Sequence, residues 1–257
     1  MSFKIATWNV NSLKVRLPQV LEWLEAVKPD VLALQETKVP DADFPLEAIT
    51  QAGYQVVYSG QRTYNGVAII SRLPSSDIIT DIHGLEDPQR RVLAATIGDV
   101  RVINLYVPNG ESLISEKYVY KLGWLQKLQQ WLAQEVKAHS KLIVLGDFNI
   151  APEDQDVHDP KAWAGHVLCS DKERAALKEL FRLGLADCFR LQPQPELSFS
   201  WWDYRMNSFK RNRGLRIDHI LSSNELSTQC IQCYIDKSPR SSGRPSDHAP
   251  VVAEFSA

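Results

Sequence analysis

The chain has 257 residues, of which 44% are hydrophobic and 23% are charged, and its formal net charge is −2. This composition is typical of a soluble globular protein that buries a sizeable core. No stretch reaches the roughly 18 continuous apolar residues that a membrane span needs, and the amino terminus lacks the pattern of a signal peptide. We therefore expect a cytoplasmic protein with no membrane partner.

The charge balance excludes an overall basic field of the kind that attracts nucleic acid. It does not exclude local basic patches around an acidic, metal-dependent site. The four cysteines, Cys169, Cys188, Cys230 and Cys233, are scattered, which is typical of reduced thiols in a chain without a signal peptide. Cys230 and Cys233 have CxxC spacing, but no second pair accompanies them, so we assign them a structural role.

Helical periodicity predicts three helices, over residues 16–27, 117–137 and 171–183. Pro29 ends the first helix, while the third begins with the capping pattern Ser170-x-x-Glu173 and ends at Gly184. Short apolar runs predict strands over residues 4–8, 31–34, 55–59, 66–71, 91–97, 101–107, 141–145, 198–202, 216–222 and 250–255.

The order of these elements favours an α/β fold. Gly98-Asp99-Val100 is typical of a short hairpin, and hairpins mixed with helical crossovers indicate sheets that are not purely parallel. Helices then cover the outer faces of the sheets and give a layered α/β sandwich. Because no linker divides the chain, we predict a single domain over residues 1–257, with two sheets and a site at their shared rim.

Polar side chains lie at the ends of five separate apolar runs. Packing alone does not require this pattern, because a polar group at the end of a buried strand needs a partner or a ligand. The residues concerned are Asn9 and Asn11, Glu36, Tyr106, Asp147 and Asn149, and Asp247 with His248. The pattern predicts a functional site at the strand ends.

Carboxylates and amides in this group suit a hard divalent ion. Glu36 and Asp247, with Asn9 or Asn11 nearby, form an oxygen-rich set of the kind that Mg²⁺ prefers. No cluster of His and Cys residues at zinc spacing is present. A glutamate after a strand is by itself more often a surface or capping residue, so the prediction depends on the whole set.

Proton transfer is the other chemistry that these residues allow. Asp147 can deprotonate a water molecule, and Asn149, two residues on, can hold that water or a phosphate oxygen. An Asx turn is an equally good interpretation of this pair. A carboxylate such as Asp218 can hold His248 in one tautomer and favour its protonated form, which then donates to a phosphoryl oxygen. Tyr106 can donate to the same oxygen, although an isolated tyrosine or histidine is more often structural.

A series of motifs runs along the chain in a fixed order. They are Trp8-Asn9-Val10-Asn11, Leu34-Gln35-Glu36-Thr37-Lys38, Gln89-Arg90-Arg91, Tyr106-Val107-Pro108-Asn109-Gly110-Glu111-Ser112, Gly146-Asp147-Phe148-Asn149-Ile150, Ser200-Trp201-Trp202-Asp203-Tyr204-Arg205, Gly214-Leu215-Arg216-Ile217-Asp218 and Ser246-Asp247-His248-Ala249-Pro250. Together they closely resemble the exonuclease III family of DNA-repair nucleases, within the endonuclease/exonuclease/phosphatase superfamily. The match runs from residue 3 to residue 255.

The resemblance implies a four-layered α/β sandwich and a Mg²⁺- or Mn²⁺-dependent enzyme that hydrolyses phosphodiester bonds in duplex DNA. Members of the family cut 5′ of abasic sites, remove 3′-blocking groups and degrade strands from the 3′ end. We therefore expect abasic or 3′-blocked duplex DNA as the partner of a monomeric enzyme. The implied metal site has Glu36 as its principal ligand and comprises Asn9, Glu36, Asp147, Asn149 and Asp247.

The same resemblance implies the catalytic roles. Asp147 is expected to activate water, and Asn149 to orient and stabilise it. Asp218 is expected to pair with His248, which contacts the scissile phosphate, and Tyr106 is the catalytic phenol. All these positions carry the expected residue types, which argues against a binding-only relative.

DNA contacts are also implied. Trp201, Leu215 and Ile217 match positions that wall a pocket for a flipped-out sugar without a base, which an apolar cavity selects by size. Residues 204–213 are basic with interleaved aromatics, and they suit a loop that holds phosphates and inserts into the base stack. The alternatives are that Trp201 is ordinary core and that this loop is merely solvated. The implied contacts are Asn11, Arg90, Arg91, Asn109, Lys121, His166, Trp201, Arg205, Lys210, Arg211, Leu215, Ile217 and His248.

His166 is a bulky residue in a region that resembles a DNA-facing loop of the family. A smaller residue there would let a flexible strand pass. We hypothesise that His166 sets the balance between cleavage at internal abasic sites and trimming of 3′ ends.

Two other functions fit the superfamily. A phosphatase or phospholipase acting on inositol phosphates or lipids is disfavoured by the basic aromatic loop, and by Ile150-Ala151 where phosphoinositide members usually carry an arginine. A non-catalytic nucleic-acid-binding relative is disfavoured by the intact acids and amides.

Overall fold

The computed structural model describes residues 2–256, which contain twelve strands. The strands are β1 (Ser2–Asn9), β2 (Val31–Gln35), β3 (Gln55–Ser59), β4 (Val67–Ser71), β5 (Ser75–Ile79), β6 (Val92–Ile97), β7 (Val100–Tyr106), β8 (Leu142–Asp147), β9 (Leu185–Asp187), β10 (Asp218–Ser223), β11 (Cys230–Ile235) and β12 (Val251–Ser256).

Six α-helices lie in the same range of residues. They are α1 (Leu13–Val27), α2 (Leu46–Gln51), α3 (Glu116–Ala138), α4 (Pro160–Trp163), α5 (Asp171–Arg182) and α6 (Asn224–Ser227). The predicted capping box opens α5, because the Ser170 side chain accepts from the Glu173 backbone and the Glu173 side chain accepts from that of Ser170. None of these helices has the length and apolar character needed to cross a membrane.

The strands form two six-stranded sheets with the same internal plan. The first sheet has the order β11-β12-β1-β2-β4-β3, and the second has the order β5-β6-β7-β8-β10-β9. In each sheet the two central strands are parallel, β1 with β2 and β7 with β8, and their outer neighbours pair antiparallel. The predicted α/β fold with mixed sheets is confirmed, while the extent of a single domain stays a prediction.

Three apolar layers hold the elements together. The first lies between the two sheets and contains Ile69 and Ile143. The second lies between the second sheet and helices α3 and α5, with Trp124 and Leu180, and the third lies between the first sheet and helices α1 and α2, with Leu24. Full burial of each such aliphatic side chain contributes about 1.5–3 kcal/mol. The resulting order of layers is helices, sheet, sheet and helices.

A buried amide bridge joins the two sheets beneath one rim. Gln35 Nε2 donates to Thr7 Oγ1 at 2.8 Å and to Asn104 Oδ1 at 2.7 Å. Asn104 Nδ2 in turn donates to the carbonyls of Leu34 and Ala68, both at 2.9 Å. Because an unpaired buried polar group is costly, these hydrogen bonds favour one arrangement of the two sheets against each other.

The polar strand ends converge at this rim because of strand direction. Parallel strands β1 and β2, and likewise β7 and β8, bring their carboxyl ends to one edge, where the antiparallel strands β10 and β12 begin. Asp147 lies in register with Tyr106 on one side and Asp218 on the other. Gly146 has φ +143°, and a Cβ there would lie 1.9 Å from the Leu105 carbonyl oxygen, so the close approach of β7 and β8 requires glycine.

Some predicted elements differ from the structure. Residues 198–202 do not form a strand, because Trp201 makes isolated bridges to Leu215 and His248 and the rest of the segment is irregular. Strands β5, β9 and β11 and the short helices α2, α4 and α6 are not among the predicted elements. The three predicted helices are present, and their ends lie within three residues of the expected positions.

Candidate active site

Asp147, at the end of β8, lies at the centre of the polar cluster. Its Oδ2 accepts from Asn9 Nδ2 at 2.9 Å, and its Oδ1 accepts from the Asn149 backbone N–H at 2.9 Å. Burial is the strongest influence on the pKa of Asp147 and raises it. The charge of His248 lowers this pKa and that of Asp218 raises it, and the net result is a pKa of about 7. A cation bound nearby would lower this pKa, because it favours the carboxylate.

Glu36 provides the second carboxylate. Asn9 Nδ2 bridges the two acids by donating to Glu36 Oε1 at 2.8 Å as well as to Asp147. Lys38 Nζ lies 2.9 Å from Glu36 Oε2. One potential ligand atom each from Glu36, Asp147 and His248 lie within 4.8 Å of one another. The two carboxylates fit a hard divalent cation.

His248 is held by Asp218 and is not a good metal ligand. Its Nδ1 lies 2.9 Å from one oxygen of Asp218 and 3.1 Å from the other, and its Nε2 lies 3.8 Å from Asp147 Oδ2. Burial lowers the pKa of His248, but Asp218 and Asp147 outweigh burial and raise the pKa to about 10. An imidazolium has no free lone pair for a metal. It is suited to donating towards a negatively charged oxygen.

Tyr106 keeps its proton in this environment. Burial, followed by the carboxylates of Glu36 and Asp147, raises the pKa of the Tyr106 phenol well above its usual value. The Arg91 guanidinium lies 4.6 Å from the Tyr106 ring centroid, and Arg91 Nη1 donates to the Tyr106 carbonyl at 3.2 Å. The phenol is therefore a fixed hydrogen-bond donor at the rim.

Two asparagines face each other beside Asp147. Asn109 Nδ2 donates to Asn149 Oδ1 at 3.0 Å, and Asn149 Nδ2 donates to the Val107 carbonyl at 3.0 Å. The Asn149 backbone forms an Asx turn on Asp147, so the turn and the placement in the site are both present. These contacts fix the orientation of the Asn149 amide.

Asp247 and Asn11 complete the cluster on the side of the first sheet. Asp247 Oδ1 accepts from Asn11 Nδ2 at 3.0 Å, and its Oδ2 accepts from Trp201 Nε1 at 3.0 Å. Asn11 Oδ1 accepts from Lys38 Nζ at 2.6 Å. Asp247 is thus tied to Trp201 by a direct hydrogen bond.

Several site residues have left-handed backbone conformations. Their φ angles are 44° for Asn11, 50° for Glu36 and 50° for Asn149. Side chains with a Cβ adopt this region only when the surroundings over-determine it, and such residues concentrate at functional sites. The backbone therefore turns sharply after β1, β2 and β8 and directs these side chains to one place.

The prediction that Lys121 contacts a DNA phosphate is wrong. Lys121 has 0% exposure, and its Nζ lies 2.5 Å from Glu173 Oε1, whose side chain is also 0% exposed. Nζ donates further to the carbonyls of Asn149 and Asn109, at 2.7 and 3.1 Å. An ammonium group that donates to three protein oxygens in the interior cannot reach DNA.

The other predicted DNA contacts divide by exposure. Arg90, Asn109, His166, Arg205, Lys210 and Arg211 are exposed, whereas Asn11, Arg91 and Trp201 are half-buried, and Leu215, Ile217 and His248 are buried. Arg205 pairs with Asp203 at 2.7 Å but keeps 85% of its side chain exposed. Tyr204 donates to the Pro245 carbonyl at 2.9 Å, so the basic aromatic loop lies directly beside the Asp247 segment. Their contacts with DNA stay a prediction.

An apolar cluster lies beside the site, beneath Trp201. It contains Leu215 and Ile217, and the half-buried rings of Trp163 and Trp201 pack against it. His166 follows in the loop after α4, with its ring edge-on to Trp163 at a centroid distance of 6.4 Å. The residues predicted to wall the sugar pocket and His166, which is predicted to set the balance of activities, therefore lie close together.

Sequence reasoning missed two residues of the site. Lys38 contacts both Glu36 and Asn11, and Ser200 Oγ accepts from the backbone of Ile217 and Asp218, each at 3.1 Å. Both lie within motifs of the predicted family, Lys38 directly after Glu36-Thr37. The position of Lys38 two residues after the predicted metal ligand Glu36 was the signal available for it.

Comparison with known proteins identifies the family. Residues 6–248 match the model of the Endonuclease/Exonuclease/phosphatase family. Exodeoxyribonuclease III of Haemophilus influenzae is 39% identical, with 98% of this chain and 99% of that protein aligned. The chain therefore belongs to the Endonuclease/Exonuclease/phosphatase family, which is metal-dependent.

Solved structures agree with this assignment. The 3′ phosphatase NExo from Neisseria, bound to a product DNA hairpin, is 47% identical with a TM-score of 0.97 and covers 99% of this chain and 100% of its own. An AP endonuclease from Archaeoglobus fulgidus is 41% identical with a TM-score of 0.96 and the same coverage. These relatives confirm the predictions of the exonuclease III family, of a hydrolase and of a DNA-repair nuclease.

Proposed function

We propose that this nuclease uses Mg²⁺ or Mn²⁺ to hydrolyse phosphodiester bonds in duplex DNA at two kinds of position. It trims and unblocks 3′ ends, and it cuts 5′ of abasic sites. One observation carries the proposal. Asn9 Nδ2 donates to both Glu36 and Asp147, and Nε2 of His248, which is paired with Asp218, lies 3.8 Å from Asp147 Oδ2. Metal-binding, water-activating and phosphate-binding groups therefore meet at one point.

The residues divide the reaction between them. Asp147 accepts a proton from the attacking water, which the Asn149 amide helps to orient. As the water oxygen bonds to phosphorus, the bond from phosphorus to the 3′ oxygen breaks, and the 3′ oxygen leaves with the electron pair and takes a proton from solvent water to become a hydroxyl. His248 and Tyr106 donate to phosphoryl oxygens, whose negative charge increases in the transition state. The paired carboxylate of Asp218 keeps the imidazolium of His248 oriented towards that charge.

Glu36 and Asp147 would hold the metal ion, with Asn9 and Asp247 beside them. The donor set is made of oxygens, which suits Mg²⁺ or Mn²⁺ and not zinc. When bound, such an ion supplies positive charge that polarises a phosphoryl oxygen. Lys38 balances the negative charge of Glu36 from the other side.

Omitting the metal tests this function directly. Duplex DNA carrying either one abasic site or a 3′-phosphate should be cleaved in Mg²⁺, should survive in EDTA and should be cleaved again after excess Mg²⁺ is added. Gel electrophoresis of end-labelled strands measures the products. Undamaged duplex DNA reports 3′ trimming, and an inositol phosphate in a parallel reaction reports the phosphatase alternative. Hydrolysis of the inositol phosphate without cleavage of either DNA would contradict the proposal.

His166→Gly is expected to raise cleavage at internal abasic sites relative to removal of a 3′-phosphate. The exposed ring of His166 stands beside Trp163 and the apolar cluster, where it obstructs a continuous strand more than a frayed 3′ end. The measurement is the ratio of kcat/KM for the two substrates. His158→Gly is the control, because the His158 ring also packs edge-on against Trp163 at 6.4 Å. An unchanged ratio in His166→Gly would disprove this role.

A further inference from the structure

Lys121 lies in the buried face of α3 and carries its charge into the protein interior. Its ammonium group donates to three oxygens: Glu173 Oε1 at 2.5 Å, the Asn149 carbonyl at 2.7 Å and the Asn109 carbonyl at 3.1 Å. These bonds use the three protons of an ammonium group. The surroundings of Lys121 are therefore complete without a ligand.

The two carbonyls belong to loops that form the active site. Asn109 follows β7 and Asn149 follows β8, and their side chains hydrogen-bond each other at 3.0 Å. The backbone N–H of Asn149 also donates to Asp147 Oδ1 at 2.9 Å. One buried charge thus holds the backbone of both asparagines, and through Asn149 it reaches the central carboxylate.

Glu173 extends the same connection to the loop before α5. Its Oε1 accepts from the Leu168 backbone at 3.0 Å, and its Oε2 accepts from the Ser170 backbone at 3.1 Å. Tyr118, one turn before Lys121 on α3, adds a hydrogen bond between its hydroxyl and Ser170 Oγ at 2.6 Å. The loop that carries His166 is therefore attached to the same ion pair.

A pair of this kind is not needed for stability alone. Removing two charges from water is costly, and well-packed neutral residues often stabilise a core as well or better. Every group that the Lys121 ammonium contacts lies in a loop of the site or in the carboxylate that holds the neighbouring loop. The partners of the ammonium therefore indicate that the ion pair positions those loops.

The chain contains a matched ion pair without this connection. Arg101 of β7 has 2% exposure, and its Nε lies 2.9 Å from Glu135 Oε2 near the end of α3. Arg101 also donates to the Asp77 carbonyl and to Thr96 Oγ1. This pair joins β7 to the same helix, α3, but it lies at the opposite end of β7 from Tyr106.

We propose that Lys121 is a positioning residue: paired with Glu173, it holds the carbonyls of Asn109 and Asn149 so that their amides lie correctly against the reacting phosphate. This role rests on the proposed function. Displacement of a reacting group by about 1 Å can cost on the order of 100-fold in rate. Loss of the Lys121 ammonium should therefore reduce turnover without removing any group that touches DNA.

Lys121→Met/Glu173→Gln tests the role, because it removes both charges together and leaves no unpaired ion in the core. The substrate is duplex DNA with a 3′-phosphate, assayed in Mg²⁺ well below the melting temperature. We expect kcat to fall about 100-fold, while KM and the Kd for DNA in EDTA stay near the wild-type values. The control Arg101→Met/Glu135→Gln should keep the wild-type kcat, even where its melting temperature is lower.

The outcomes are distinct. A folded Lys121→Met/Glu173→Gln variant with wild-type kcat, or one that loses DNA affinity in proportion to its activity, would overturn the role of Lys121. Equal losses of kcat in the control would assign the effect to general loosening of the core and overturn the role of Lys121 as well.

If the double variant does not fold, Lys121→Arg keeps the ion pair but replaces the compact ammonium with a larger planar group. A folded Lys121→Arg variant is then expected to lose kcat, and wild-type kcat would overturn the role. A wild-type enzyme inactive on this DNA would instead contradict the proposed function itself.

Discussion

Asp147→Asn is expected to lower kcat on duplex DNA by on the order of 1,000-fold while DNA binding persists. An amide cannot accept the proton of the attacking water, and general-base catalysis is worth about 100- to 10,000-fold. The substitution keeps the side-chain volume, and the amide oxygen can still accept from the Asn149 backbone. The opposite side is less favourable, because Asn9 Nδ2 then faces an amide donor in place of Asp147 Oδ2.

Two measurements separate chemistry from binding in this variant. Single-turnover rates in Mg²⁺ report the chemical step, and fluorescence anisotropy of labelled duplex DNA in EDTA reports the Kd. Asp99→Asn is the control, since Asp99 is an exposed acid in the turn between β6 and β7, at the far edge of the same sheet. Turnover near wild type in Asp147→Asn would show that another group activates the water.

The sequence predicted the inner strands best because burial on both faces leaves a continuous apolar run. Strand β8 begins with Leu142-Ile143-Val144-Leu145, and all its residues are buried. The edges of the second sheet gave weaker signals: β5 is largely exposed and polar, and β9 has three residues. Residues 198–202 have strand-forming composition, but the backbone of this segment bonds to Leu215 and Asp247 in loops. The composition of a segment does not show whether the segments that it hydrogen-bonds to are strands or loops.

The members of the site could be predicted, but their connections could not. Polar residues at strand ends meet whenever parallel strands end at one rim, so Asn9, Glu36 and Asp147 were within reach of sequence reasoning. The hydrogen bond between Asn109 and Asn149 depends instead on the left-handed backbone of Asn149, which has φ 50°. Sequence does not distinguish an asparagine in this conformation from one in an extended chain, so the bond could not be predicted.

Lys121 shows why charge is a poor guide to exposure. A lysine near the start of a long helix is usually solvated, and the nearby family motifs favoured a phosphate contact. Its burial is decided by Glu173, 52 residues further along the chain, and by the carbonyls of two loops. A pairing across that sequence distance has no local pattern, and only the packing of α3 against α5 shows it.

Asp218→Asn is expected to reduce kcat by about 100- to 1,000-fold, the usual loss when one donor to a developing oxyanion is disabled. In the described part of the chain, the two carboxylate oxygens of Asp218 form side-chain hydrogen bonds with His248 alone, at 2.9 and 3.1 Å. Burial alone disfavours the charged imidazole, so without the Asp218 carboxylate His248 is a weaker donor and its tautomer is less fixed. The measurement is kcat on abasic duplex DNA, with the Kd for DNA as the check on binding.

A double-variant cycle decides whether Asp218 acts through His248. Groups that work as a unit have non-additive effects, so Asp218→Asn/His248→Asn should be no slower than His248→Asn alone. Circular dichroism confirms that each variant is folded, since Asp218 and His248 are both buried. If the losses in the two single variants instead multiply in the double variant, Asp218 contributes to the reaction by a route that does not pass through the imidazole. The His248–Asp218 pair would then be two separate contributions to the site, and the assignment of Asp218 as the group that orients His248 would fail.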